Sequence, residues 1–245
     1  MARWLLGDSF HPGGLKLTSR LAGLMEIGTG SRVLDAGSGI GTSAVHLSKT
    51  IGCETVGVTL ESEGVTAGVE LARQEGVSDL TRFVAGDLQD IDAGAGSFDA
   101  AIMECVLSIV PDKKRALERA HSALMPGGRL GLTDVTVKGN LPQELDGLLA
   151  VAACVGDAMP LEAYGDLATS AGFVMEHLQA LPETAQSFLT DLKGKLLLAE
   201  VASGLGKLQV PTDLIVEAKR VLAAAQEAVA EGSLGYGMLV ARRPG

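Results

Sequence analysis

Aromatic residues are nearly missing from this chain: one Trp, two Tyr and five Phe among 245 residues. A core of ordinary density must therefore be built from Leu, Val, Ala and Ile, and the 47% hydrophobic content is large enough for one. Cysteine is scarce too. Cys53, Cys105 and Cys154 are an odd number with no CxxC pair and no zinc-type spacing. That argues against a disulfide framework and makes a reducing cytoplasm the expected location. Positive charge is also short, with 20 basic against 30 acidic residues and a formal charge of -10. Nucleic acid and anionic membrane surfaces are poor partners for such a chain, because both are bound through basic patches. No apolar run approaches the roughly 20 residues needed to span a bilayer. The opening "MARWLLGDSFHPGG" holds only a short apolar patch without a small-residue cleavage site, so no signal peptide is expected.

What is present is an alternation of short apolar runs with amphipathic stretches, the pattern of βαβ units around a parallel sheet. "SRVLDAG", "ETVGVTL", "TRFVAGD" and "FDAAIMEC" read as the first four strands. Helices are expected from about Thr42 to Ile51, through "VTAGVELARQEG", and through "DKKRALERAHSAL", the last stopped by Pro126–Gly128. "GRLGLTDVTV" follows as a fifth strand. Two helices, "LPQELDGLLAVAACVG" and "LEAYGDLATSAGF", then precede a sixth strand, "VMEHLQAL". A long helical stretch from 183 to 231 breaks around "SGLGKLQVPTD", and "LGYGMLVARR" closes the chain as a final strand. No repeat or low-complexity linker divides it. The expectation is one domain over 1–245: an N-terminal cap (1–30), a core (31–182), a helical insertion (183–232) and a last strand (233–245).

"VLDAGSGIG", Val33 to Gly41, is a strand ending in Asp35 followed by Gly37, Gly39 and Gly41 and then a helix. Glycines at a strand's carboxyl end let the backbone turn tightly and lie against a ligand, and the helix start offers free N–H groups. Such a loop alone also fits a plain tight turn packed on the sheet. The spacing is G-x-G-x-G with an acid two residues ahead, and not the G-x-G-x-x-G of dinucleotide sites.

This motif resembles motif I of the class I S-adenosylmethionine-dependent methyltransferases. "GVTLE", "GDLQDI", "MPGGRL" and the C-terminal strand fall in the same register, firmly from Ser31 to Val137 and loosely beyond. The resemblance implies a Rossmann-like, seven-stranded, mostly parallel sheet with helices on both faces and an antiparallel C-terminal strand. It implies S-adenosylmethionine as cofactor and S-adenosylhomocysteine as product. It places Asp35 at the methionine end of the cofactor, with Gly37, Ser38, Gly39 and Gly41 against it, and Asp87 and Leu88 at the adenine. The family's ribose acid falls at Thr59 in "VGVTLE"; either Thr59 or Glu61 is expected to hold the ribose, with Leu60 between them.

"FDAAIMECVLSIVPDK" puts Glu104 and Cys105 at the end of the fourth strand, where ligands of such sheets bind. Methyl transfer is an in-line displacement from a sulfonium, which needs alignment and exclusion of water, and a base only where the acceptor loses a proton. The segment from Glu104 to Val135 is similar to that of arsenite methyltransferases, and "ACVGDAMPLEAYGDLATSAGF" places Cys154 on that group's metalloid-binding cysteine. Thiolates are soft ligands for trivalent arsenic, so Cys105 and Cys154 are candidate ligands for an arsenic acceptor. The group's further cysteine near Ala44 is absent, and its Asn before the fourth-strand cysteine is Glu104. A hydroxyl, amine or carbon acceptor, as in a C- or O-methyltransferase of a quinone-like or other small metabolite, would instead make Glu104 and His11 the candidate base or orienting group, Glu104 also touching the cofactor. A third alternative is a catalytically silent cofactor-binding module acting through a partner. A small-molecule acceptor is expected, with no nucleic acid, no membrane span, and a monomer or homodimer. The apolar stripe of "FLTDLKGKLLLAEVASGLG" suits either a lid or a dimer face.

Overall fold

The computed structural model describes residues 11–91, 94–145, 155–204 and 210–245. In chain order its elements are α1 (Gly14–Leu24), β1 (Arg32–Ala36), α2 (Thr42–Ile51), β2 (Glu54–Thr59), α3 (Ser62–Gln74), β3 (Thr81–Ala85) and β4 (Phe98–Glu104). There follow α4 (Lys113–Ala123), β5 (Leu124–Val137), α5 (Leu161–Ser170), β6 (Val174–Ala180), α6 (Pro182–Gly204), α7 (Thr212–Glu231) and β7 (Leu234–Arg242). The strands form one seven-stranded sheet in the order β3-β2-β1-β4-β5-β7-β6. β1 to β5 are mutually parallel where they pair, and β7 runs antiparallel between β5 and β6.

The core has the composition expected of a chain poor in aromatics. One face of the sheet buries Val33, Ala100, Ile102, Met238 and Val240 against Leu17, Leu21 and Met25 of α1 and Ala224, Ala225 and Ala228 of α7. The other buries Leu34, Ala101, Met103, Leu130, Leu132 and Leu239 against Leu117 and Ala120 of α4 and Tyr164 and Ala168 of α5. Successive residues of β1, β4 and β5 thus serve opposite cores, as the pleat requires, and these strands read as continuous apolar runs because both faces are covered. The packing is close: a Cβ at Gly131 would stand 2.5 Å from the Met25 sulfur.

The expected elements lie where the periodicity puts them, with two differences. α4 ends at Ala123, three residues before Pro126, and β5 begins at Leu124, so "PGG" lies within the strand as an irregularity and not after the helix as its stop. The register shift between Phe98 and Ala100 opposite it absorbs the extra residues. Secondly, the helix expected over "LPQELDGLLAVAACVG" is seen only as a 3-10 turn, Gln143–Leu145, before residues 146–154, which are outside the described residues. Cys154 falls among these.

β1 and β4 are neighbours whose chain connections leave to opposite sides, so the crevice beyond their carboxyl ends is the switch point of the sheet, the place where open α/β sheets bind ligands. Asp35 and the glycine loop stand on one side of it, and Glu104 and Cys105 on the other.

Candidate active site

The glycine loop is pinned by the strand next to it. The amides of Gly37 and Ser38 both donate to the carbonyl of Val58 on β2, at 2.9 and 2.8 Å, and Gly41 closes the turn by donating to Ser38 at 2.7 Å. Two of its glycines are required sterically. Gly37 has φ +93°, and a Cβ there would stand 2.4 Å from Val106. Gly41, the residue before α2, has φ +84°, and its Cβ would stand 2.4 Å from the Phe83 ring. Gly39 has open space at the same position. Gly41→Ala is expected to lower stability by about 2–4 kcal/mol, since it adds left-handed backbone strain to an overpacked contact. A thermal melt checks this, and an unchanged melting temperature would mean that Phe83 yields freely.

The first turn of α2 lies between two carboxylates. The Ala44 amide donates to Asp35 Oδ2 at 3.2 Å, and the Ser43 hydroxyl donates to Glu104 Oε2 at 2.6 Å. Asp35 is 3% exposed. Burial first, and the nearby Glu104 carboxylate second, push its carboxyl up to about 8, against the single amide that favours the charge. Glu104 is tied from the other side by α1, whose Thr18 hydroxyl reaches both carboxylate oxygens at 3.1 Å. His11, 7% exposed, sets Nε2 3.7 Å from Glu104 Oε2 and 3.5 Å from the Thr18 hydroxyl, with Nδ1 3.3 Å from the Pro12 carbonyl. Two chain segments 93 positions apart thereby meet in one buried polar cluster of His11, Thr18, Asp35, Ser43 and Glu104. Of these Thr18 and Ser43 were not legible as site residues; a hydroxyl on an apolar helix face was their only signal.

Cys105 has φ +56°, a strained conformation for a residue with a side chain. Its amide donates to the Thr133 carbonyl on β5 at 2.7 Å. The side chain is half-buried, packed against the α1-side core and close enough to Tyr236 to disfavour ionisation of that buried phenol. Cys53 precedes β2, at the amino-terminal ends of the strands, and is fully buried with its thiol pushed up to about 11 by desolvation. It is a packing residue on the opposite edge from the crevice.

On the other flank Thr59 is 9% exposed at the end of β2, and Leu60 follows 71% exposed. Glu61 is an exposed residue before α3, and its carbonyl, not its carboxylate, accepts the Gly64 and Val65 amides. Asp87 accepts from the Gln89 amide at 2.8 Å and from its side chain at 3.0 and 3.1 Å, which holds the carboxyl below its usual range. Leu88 beside it is 8% exposed. Glycine loop, Thr59 and Asp87 thus follow one another along the ends of β1, β2 and β3. The open space over Gly39 and the two carboxylates around a helix start fit an elongated ligand with a cationic end.

A cavity of about 900 Å³ opens on the α1 side, between that helix and α6. Leu17, Phe188 and Leu192 give it apolar walls, and Lys16, Arg20 and Lys195 line it with Glu183 and Asp191. His11 is part of its wall, so this one residue faces both the cavity and the Glu104 cluster.

Residues 33–128 match a family model described as a methyltransferase domain. Over 97% of this chain and 83% of its own length, methyltransferase GfsG of Streptomyces halstedii is 25% identical. The 27-O-demethylrifamycin SV methyltransferase of Amycolatopsis mediterranei is 26% identical over 94% and 83%. An arsenite methyltransferase of Aquipseudomonas alcaligenes is 33% identical, over 59% of this chain and 44% of its own. The solved phosphoethanolamine N-methyltransferase 2 of Haemonchus contortus, in complex with S-adenosyl-L-methionine, has the same fold: TM-score 0.84 at 20% identity, over 99% of this chain and 56% of that one. With a switch-point crevice, a pinned G-x-G-x-G loop and the expected acid at the first strand's end, residues 33–128 form a methyltransferase domain on a Rossmann-like fold, and the enzyme is an S-adenosylmethionine-dependent methyltransferase.

Proposed function

We propose that the enzyme methylates a hydroxyl group on a bulky small-molecule acceptor, with His11 as the base. The observation that carries this reading is the double exposure of His11, which lines the 900 Å³ cavity and sits 3.7 Å from the Glu104 carboxylate. A cavity of that size suits an acceptor of drug size or larger. Bound S-adenosylmethionine supplies a methyl group on a cationic sulfur, which leaves as a neutral thioether once the acceptor oxygen has taken the methyl. Asp35 and Glu104 hold the charged methionine end against the glycine loop, Thr59 holds the ribose, and Leu60, Asp87 and Leu88 hold the adenine. With Nδ1–H donating to the Pro12 carbonyl, the His11 Nε2 lone pair accepts the hydroxyl proton, and Glu104 stabilises the imidazolium so formed. Thr18 and Ser43 hold Glu104 in place through their hydroxyl hydrogen bonds. Helix α6 supplies one wall of the acceptor cavity.

One of the two relatives aligned over nearly the whole chain is named for an O-demethylated substrate, which supports this reading. A panel of phenols and bulky aliphatic alcohols, followed by mass spectrometry of product and S-adenosylhomocysteine, tests it. O-Methylated product is expected. A protein that binds S-adenosylhomocysteine yet turns over no hydroxyl acceptor is not an O-methyltransferase.

One observation favours a second reading, arsenic as acceptor: Cys105 at the crevice, together with the 33% identity to an arsenite methyltransferase. Cys53 cannot join it, lying at the other end of the strands, and Cys154 is outside the described residues. Arsenite added with S-adenosylmethionine is expected to give no methylated arsenic. Methylated arsenic that disappears in Cys105→Ser would replace the hydroxyl reading with the metalloid one.

A further inference from the structure

We propose that Asp134 is a positioning residue for the methyl-donor site, acting through the loop that follows β4. Asp134 lies on β5 and is 1% exposed. Its Oδ2 accepts the Ser108 amide at 2.9 Å and its Oδ1 the Val135 amide at 2.8 Å, and the Leu107 amide also points to it. Leu107 and Ser108 open the 3-10 turn Leu107–Ile109, whose preceding residue, Val106, has no side chain able to accept their free amides. The cap is supplied instead from the neighbouring strand. Burial pushes the Asp134 carboxyl up to about 6 against these amides, so an ionised group is kept here against a desolvation penalty that an apolar strand residue would avoid.

The loop's position is transmitted to the cofactor side by packing. Val106 lies on the α-carbon of Gly37, close enough that any side chain at Gly37 would strike it. On the far side of this contact from the Asp134 tie stands Cys105 in its left-handed conformation, with its amide bonded to the Thr133 carbonyl at 2.7 Å. Tyr236 steadies that strand position from β7 by donating its buried hydroxyl to Thr133 Oγ1 at 3.0 Å. A strained residue persists only where its surroundings fix it on both sides. Release of the Asp134 end is therefore expected to let the loop relax and Val106 lift from Gly37, loosening the glycine loop.

The test is calorimetric titration with S-adenosylhomocysteine, well below the melting temperature of each variant. Asp134→Asn keeps the shape but leaves one of the amides facing an NH2 group; it is expected to weaken binding about tenfold, and Asp134→Ala more. Leu222→Ala, a cavity in the separate cluster between α6 and α7, which contains no residue of the loop, is the stability control: it lowers the melting temperature with unchanged affinity. Val106→Ala, which releases the other end of the loop, is expected to weaken binding in the same direction, and its effect combined with Asp134→Asn to be less than additive. Should the Asp134 variants fail to fold, the Val106→Ala result decides. Affinity unchanged in Val106→Ala, or Asp134 variants that lose only stability as Leu222→Ala does, would overturn the proposal.

Discussion

Asp35→Asn is expected to raise the melting temperature of the ligand-free protein at pH 8 while weakening S-adenosylmethionine binding by about 10²-fold or more. Both effects come from the same burial. The carboxyl is 3% exposed, has one amide donor at 3.2 Å, and stands near a second carboxylate. Its folded pKa of about 8 lies above the ordinary value of 3.8. A raised carboxyl favours the folded state most where it is protonated in both states. That contribution is complete below about pH 4 and is lost as pH rises toward 8. A shift of this size is worth on the order of 5 kcal/mol. Asparagine keeps the Ala44 hydrogen bond without ever ionising, so much of that energy returns at pH 8, roughly 5–10 °C in a chain of this length. Below about pH 4 the two proteins should melt together. In the proposed site the same carboxyl would pair with the cofactor's ammonium group, which would bind best to the ionised form. Wild-type affinity should therefore climb between pH 6 and 8, by up to tenfold per unit where one proton is released, and Asp35→Asn should lack that climb. A variant that is less stable than wild type at both pH values would mean that Asp35 is structural, and its burial no sacrifice for binding.

A site that trades stability for binding is what the sequence can signal locally. Asp35, the three glycines and the start of α2 occupy ten consecutive positions, so strand, turn and helix start are legible together. The same holds for Thr59 and Asp87, each at the end of its own strand. What depends on distant segments is not legible in that way. His11 and Glu104 could each be suspected, but their meeting depends on how α1 crosses the sheet, and that is set by the small surface of Gly131 under Leu21 and Met25. Thr18 and Ser43 looked like ordinary hydroxyls on helices. Asp134 sits in "GLTDVTV" among strand residues, and the one available clue was a pair of polar residues, Thr133 and Asp134, where a strand covered on both faces should be apolar. "PGG" misled because proline and glycine usually stop a helix; here Leu124 already pairs with Phe98, and strand pairing outweighs the local signal.

His11→Gln is expected to lower kcat by about 10² to 10⁴-fold with the affinity for S-adenosylhomocysteine changed less than about threefold. The reasoning is positional. Glu104 receives hydroxyl hydrogen bonds from Thr18 and Ser43 in addition to its approach to His11, so removing the imidazole leaves the carboxylate anchored and the cofactor side intact. What disappears is the one titratable group that both lines the cavity and contacts that carboxylate. Glu104→Gln should behave differently. It removes the second cause of the raised Asp35 carboxyl, leaving burial as the first, so the pH at which cofactor affinity rises should move down. It also removes a charge from the methionine end, so cofactor affinity and kcat should fall together. The pair of variants thus separates two roles within one cluster by their binding and turnover signatures. If His11→Gln weakens S-adenosylhomocysteine as much as Glu104→Gln does, His11 belongs to the cofactor's surroundings. The base for the hydroxyl acceptor must then be sought on the α6 wall of the cavity, where Glu183 and Asp191 are the remaining groups able to take a proton.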